Sequence, residues 1–233
     1  MIAENIRNIR KKIAEACIVA QRDPGSVKLI AVSKTFGPEK VEEAVRAGVL
    51  DIGENYVQEI GRKRETLADE HVRWHFIGHL QSNKVKYIAD WIWLIHSVES
   101  ESVAAEIQKR GEKLNRAVDV LIEVNTSGET SKFGVRPGAA PDFVRTFARY
   151  PNIRLKGLMT IGSFLPDPEQ SRPAFRILKK TLDDINGMDI LREPMSQLSM
   201  GMTHDYAVAI EEGSTIVRIG TAIFGSRRLT TSN

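Results

Sequence analysis

A lysine closes the strand-like apolar run in KLIAVSKTFGPEKV, residues 28–41, where the chain passes into a turn and then a helix start. Side chains alternate along a strand, so Ile30, Val32 and Lys34 share one face. If that face is enclosed, Lys34 sits partly out of water. Desolvation disfavours the ammonium and yields a neutral amine able to attack a carbonyl, the chemistry of a Schiff-base lysine. The plain alternative is a lysine whose stem lies along apolar surface while its charge reaches water.

Further on, SQLSMGM and VRIGTAIFG put Ser199, Gly201, Gly220 and Thr221 at the ends of two apolar runs. Glycines let backbone N–H groups come close to a phosphate, and hydroxyls add donors. A helix expected to open near Thr203 would aim its positive end at such an anion. Tight strand-to-helix turns also need glycine on their own account, but here the glycines occur together with a serine and a threonine. Arg218 lies two residues before Gly220 and is expected on the same enclosed face. A buried guanidinium needs an acceptor or a counter-charge, which is either a ligand's ring nitrogen or a carboxylate such as Glu123 or Glu54. An amine, a phosphate corner and a ring-nitrogen donor together match the aldehyde, phosphate and pyridine of pyridoxal 5′-phosphate.

Such groups need a scaffold that brings distant strand ends together. After a leading amphipathic helix, with Ile2, Ile6, Ile9, Ile13 and Cys17 on one stripe, strand-like and helix-like runs alternate eight times. Continuous apolar strands between helices argue for a covered parallel sheet, and eight of them argue for a closed (β/α)₈ barrel of the TIM type rather than an open doubly wound sheet. One domain over residues 1–233 is expected, since no Gly/Ser linker divides the chain. Chemistry in such barrels sits at the C-terminal strand ends. Those ends carry Lys34, then Glu54 and Asn55, His79, His96, Asn125, Thr160, Ser199 and Gly201, and finally Gly220 and Thr221. The long irregular stretches TSGETSKFGVRPGAA and GSFLPDPEQSRP follow strands five and six and belong to the same face.

Composition narrows the setting. The formal net charge of +3 comes from intermixed acidic and basic residues with no aromatic-basic platform, so nucleic acid is not expected as a partner. Cys17 is the single cysteine, which excludes an intrachain disulfide and fits a reducing compartment. The N-terminal run is interrupted by acidic residues, unlike a signal peptide, and no stretch is apolar enough to span a membrane. A cytoplasmic protein, monomeric or weakly dimeric, is the expectation.

The segments AVSKTFGPEKVEEAVRAGVLDIGENYVQE, WHFIGHLQSNKVK, VLIEVNTSGETSKFGV, LKGLMTIG, LSMGM and VRIGTAIFG, in this order, resemble the pyridoxal phosphate homeostasis protein family, whose fold is similar to the barrel domain of alanine racemase. The resemblance runs over roughly residues 3–227. It implies a pyridoxal phosphate barrel of fold type III without the second domain. Lys34 would form the internal aldimine, Ser199, Gly201, Gly220 and Thr221 would hold the phosphate, and Arg218 would face the pyridine nitrogen. Asn55, His79 and Met200 would lie close to the cofactor. The chain departs from the family at Thr203, where a serine is expected, and at Tyr206, where a leucine is usual; Thr203 keeps a hydroxyl for capping and phosphate contact. Alanine racemase-like enzymes take a tyrosine base from a second domain, whereas this sequence ends in SRRLTTSN soon after strand eight. The expectation is therefore a protein that holds vitamin B6 without strong catalysis of its own, limits its free concentration, and passes it to pyridoxal phosphate-dependent apoenzymes. The alternatives are a cofactor-dependent amino-acid racemase or decarboxylase, and a class I aldolase-like barrel in which Lys34 reacts with substrate directly.

Overall fold

Eight parallel strands pair in chain order and close into a barrel, the last against the first. The computed structural model describes residues 1–67, 71–162 and 166–225. The strands are β1 (Lys28–Val32), β2 (Asp51–Glu54), β3 (Arg73–Phe76), β4 (Leu94–Val98), β5 (Val118–Glu123), β6 (Ile153–Met159), β7 (Gln197–Met202) and β8 (Ile216–Ile219). Around them run α1 (Ile2–Val19), α2 (Pro38–Arg46), α3 (Val57–Leu67), α4 (Glu101–Lys113), α5 (Ala140–Thr146), α6 (Arg172–Asn186), α7 (Tyr206–Glu211) and α8 (Thr221–Phe224).

Alternation along the strands produces two cores. Ile30, Val32, Ile77, Leu94, Leu121, Met159 and Ile216 fill the barrel interior. The other parity, including Ala31, Ile52, Trp74, Phe76, Leu198, Met200 and Ile219, packs outward against the helices. Every strand is thus buried on both faces, which is why the sequence shows near-continuous apolar runs. The stripe of α1 behaves as its spacing predicts: Ile2, Ile6, Ile9, Ile13 and Cys17 are all buried, and Asn5 Nδ2 donates to Ile223 O at 2.9 Å, pinning the helix to α8.

Register places the site. Ile30 of β1 lies opposite Arg218 of β8, and Val32 lies opposite Gly53 of β2. Lys34 and Asn55 then follow two residues past Val32 and Gly53, at the C-terminal mouth.

Four local readings change. The last strand stops at Ile219, and TAIF forms α8 with Gly220 as its N-cap residue. The apolar run continues past Ile219 because α8 packs on α1, not because the strand does. The helix expected near Thr203 opens at Tyr206, and Asp205 rather than Thr203 occupies the N-cap position. The segment after β3 forms a 3₁₀ helix over Ser82–Tyr87 instead of an α-helix. The helix expected from Pro137 begins as a 3₁₀ turn, Pro137–Ala139, and becomes α-helical at Ala140. Parts of the predicted α3 end, of the GSFLPDPEQSRP loop and all of SRRLTTSN after Gly225 lie outside the described residues. Among the described residues no helix is long and apolar enough to cross a membrane.

Candidate functional site

Lys34 lies just past β1 in a tight turn closed by the Phe36 N–H, which donates to Ser33 O at 3.0 Å. Thr35 takes a left-handed φ of 71° to make it. The turn is clamped from behind. Ser33 Oγ donates to Glu54 Oε1 at 2.5 Å, and the Thr35 N–H donates to Glu59 Oε1 at 2.8 Å. Lys63 Nζ donates to Ser33 O at 2.8 Å, to Glu54 Oε1 at 2.5 Å and to Glu59 Oε1 at 2.9 Å. These three bonds use all three ammonium protons. With its backbone so fixed, Lys34 stands half-buried at the rim. Phe36 packs its ring on Phe224, centroids 5.2 Å apart, tying the turn to α8.

Glu54 is therefore not a partner for Arg218. It points outward beneath the Lys34 turn, where burial raises its pKa against the pull of Lys63 and Ser33.

The ends of β7 and β8 form a corner beside that turn. Gly201 has φ +92°, and a Cβ there would lie 2.6 Å from Ala209 Cβ and 2.9 Å from Tyr206 Cα. No other residue fits both the conformation and the space. Gly220 runs against β1, where a Cβ would come within 3.3 Å of Val32 O. Thr221 Oγ1 donates to Thr203 Oγ1 at 3.2 Å, so two hydroxyls meet at the rim of the corner. Asp205 Oδ1 accepts the Met202 N–H at 2.7 Å and fixes the intervening loop. The side chain of Met200 is fully buried in the outer core and offers the corner only its backbone.

Ser199 lies one step deeper than the corner on the same barrel-facing side of β7. It is fully buried in the barrel, where Arg218 Nη1 donates to its Oγ at 2.6 Å and to its O at 2.7 Å. Arg218 Nη2 donates to Thr160 O at 2.8 Å. Burial pushes Arg218 down to about 10, with Glu123 and Asp205 holding it up, so it stays cationic at neutral pH. Burial, and then the nearby charge of Glu99, push Glu123 up to about 7 while Arg218 pulls it down. Glu123 thus acts on Arg218 through space, and the hydrogen bonds of Arg218 go to Ser199 and Thr160.

Asn55 and His79 complete the mouth. Asn55 Oδ1 is buried without a hydrogen-bond partner, and its backbone is pressed so closely by Gly78 that a Cβ there would lie 2.2 Å from Asn55 O. His79 Nδ1 pairs with Glu99 Oε1 at 2.8 Å and stacks on Phe133, ring centroids 4.0 Å apart. Asn125 is committed to its own loop, donating to Glu129 O at 2.9 Å and Lys132 O at 3.2 Å.

Lys34, Asn55, Gly201, Gly220, Thr221 and Arg218 therefore converge on one mouth; Ser199 reaches it through Arg218, and Met200 through its backbone. Sequence reading missed Asp51 and His75, which with His96 occupy the barrel beneath Arg218. The parity that groups Ile30 with Lys34 also groups Asp51 with Gly53 and His75 with Ile77, and it was the available signal. Among the described residues no group of His, Cys, Asp or Glu is arranged to hold a metal ion.

Residues 1–228 match the alanine racemase N-terminal domain family. The chain is 45% identical over 225 residues to the pyridoxal phosphate homeostasis protein of Aquifex aeolicus, covering 97% of this chain and 98% of that one. It is 30% identical to PipY of Synechococcus elongatus PCC7942, solved with PLP bound, at a TM-score of 0.84, covering 97% of this chain and all of the other. Alanine racemase of Clostridium difficile 630 shares the barrel at a TM-score of 0.73 and 13% identity, and the match takes up 99% of this chain and 59% of that longer one.

Proposed function

The chain belongs to the pyridoxal phosphate homeostasis protein family, and from that premise we propose that it binds pyridoxal 5′-phosphate as a reversible Schiff base on Lys34, buffers its free concentration and releases it to apoenzymes without strong catalysis of its own. The cofactor supplies a reactive aldehyde and an electron-accepting ring. The residues at the mouth suit it. Gly201 and Gly220 leave the β7 and β8 ends bare of side chain where Thr203 and Thr221 bring hydroxyls together. Asn55 Oδ1, buried and unpartnered, needs a donor from outside the protein.

Arg218 is the observation that carries the reading. A guanidinium has five N–H groups. Two on Nη1 go to Ser199 and one on Nη2 goes to Thr160. The second Nη2 proton and Nε–H remain for a ligand deep in the mouth. A group that donates and stays charged keeps a pyridine nitrogen unprotonated, and an unprotonated ring draws electrons poorly. Arg218 in this place favours holding the cofactor over transforming amino acids with it.

The test is absorbance of purified protein with added pyridoxal phosphate, followed by borohydride reduction and peptide mass mapping. The hydride-fixed label should fall on Lys34, and Lys34→Ala should lose the visible band while keeping the fold. A label on Lys63 or another lysine overturns the reading. Amino-acid turnover well above that of free cofactor favours the racemase or decarboxylase alternative instead.

A further inference from the structure

We propose that His75 and His96 are positioning residues for Arg218: with Asp51 and Ser199 they form a one-way hydrogen-bond chain through the barrel that fixes which donors Arg218 presents at the mouth. The consequence for the cofactor rests on the reading above, in which Arg218 faces the ring; the chain itself does not.

Its direction follows from its two ends. Arg218 has no lone pair, so Nη1 donates to Ser199 Oγ at 2.6 Å. Asp51 at the floor of the barrel is an acceptor: burial would raise its carboxyl, but hydrogen bonds from His75 and Arg73 outweigh burial and hold it well below the usual carboxylate range. Arg73 binds it through Nε at 2.9 Å and Nη2 at 2.6 Å, and Lys28 Nζ stands 3.7 Å away. Between these ends lie three groups able both to donate and to accept. His75 Nε2 is 2.9 Å from Asp51 Oδ1, and His75 Nδ1 is 3.0 Å from His96 Nε2. His96 Nδ1 is 2.9 Å from Ser199 Oγ.

With two neutral imidazoles only one arrangement makes every link. The Ser199 hydroxyl donates to His96 Nδ1, His96 Nε2–H donates to His75 Nδ1, and His75 Nε2–H donates to Asp51. Reversing any link leaves a ring nitrogen's lone pair facing the Asp51 carboxylate, unless one histidine takes up a further proton. Both rings are fully buried, which pushes their pKa values down and keeps them neutral. Ser199 Oγ is thereby an acceptor toward Arg218. With Ser199 O it takes both Nη1 protons, and Arg218 is left to present Nη2 and Nε.

Long-range ¹H–¹⁵N spectroscopy of the cofactor-free full chain reads the tautomers directly. His75 and His96 should both be neutral and protonated on Nε2 at pH 7, and resolved, slowly exchanging Arg218 Nη1 protons should be present. In Ser199→Ala the signal of the Nη1 proton held by Ser199 Oγ should be lost, the one held by Ser199 O should stay, and His96 Nδ1 should shift, while Ser199→Thr, which keeps the hydroxyl, should restore the lost signal. A His96 proton on Nδ1, a charged His75, or Arg218 signals unchanged in Ser199→Ala overturns the proposal. With cofactor added, Ser199→Ala should bind roughly tenfold more weakly, the loss of about one buried hydrogen bond, with the label still on Lys34. A wild-type chain that passes the spectroscopic arm but takes up no pyridoxal phosphate overturns the cofactor reading alone.

Discussion

Lys63 Nζ stands 2.5 Å from Glu54 Oε1, forming a buried ion pair directly beneath the turn that carries Lys34. Both side chains are at most 5% exposed, and the same ammonium holds Ser33 O. Taking one partner away leaves a buried charge unpaired, which costs about 3–5 kcal/mol. Lys63→Met should therefore lower the unfolding free energy by that order and weaken cofactor loading, because Ser33 O loses one of its two donors and keeps only the Phe36 N–H. Adding Glu54→Gln to Lys63→Met should recover much of the stability. Urea unfolding of the single and double variants measures it, and equal loss in both would refute a pair held by charge.

The corner at β7 makes a sharper demand on volume. Gly201→Ala has to place a Cβ 2.6 Å from Ala209 Cβ in a left-handed conformation. We expect a loss of about 1–3 kcal/mol from overpacking and backbone strain, with weaker cofactor binding. Gly61→Ala in α3 is the control, since a Cβ there meets nothing within 4 Å. It should be neutral or raise stability by about 0.5–1 kcal/mol. Parallel thermal unfolding and cofactor titration separate the two positions.

Arg218 yields a third prediction. Replacing it by Met strips donors from Ser199 O, Ser199 Oγ and Thr160 O at once. Ser199 O keeps the Thr160 N–H at 3.1 Å and Ser199 Oγ keeps His96, so Thr160 O is the buried acceptor left unsatisfied, at a cost of about 1–3 kcal/mol. Arg218 also holds the Glu123 carboxyl down, so Glu123 should titrate higher in Arg218→Met. Carboxyl ¹³C shifts followed against pH report this, and an unmoved Glu123 would show that the two do not interact.

Much of this site was legible along the chain. Lys34 stood out because a lone charge ended an apolar run, and Gly220 with Thr221 because their types suit a close-approaching anion. The barrel was legible because strands buried on both faces carry little but apolar residues. The rest required knowing which face of each strand is enclosed. Ser199 was grouped with the phosphate corner by its nearness to Gly201, yet two residues along a strand is one step down the barrel, and its hydroxyl belongs to Arg218. Asp51, His75 and His96 come from three different strands, and nothing local marks them as one chain. Glu54 looked available to Arg218 because the partner it has, Lys63, sits nine residues on in a helix face.

Glu123 supplies the pH dependence. Burial and the Glu99 charge put its folded pKa near 7, against the ordinary 4.5 of a glutamate. The folded chain therefore keeps a proton that the unfolded chain has released between these values. By linkage, stability from this group is complete below pH 4.5 and is lost as pH rises through 7. Each pKa unit corresponds to about 1.4 kcal/mol, so the swing is on the order of 3 kcal/mol at most. His75 and His96 work in the opposite sense: burial lowers their pKa values, and their contribution is lost as pH falls below 6.5. They contribute alike to wild type and Glu123→Gln, so the difference between the two proteins isolates Glu123. Urea midpoints of cofactor-free protein from pH 4.5 to 8 should show Glu123→Gln gaining on wild type as pH rises. A difference that stays flat across the window would mean that Glu123 is ionised throughout and that its carboxylate, not its acid form, faces Arg218.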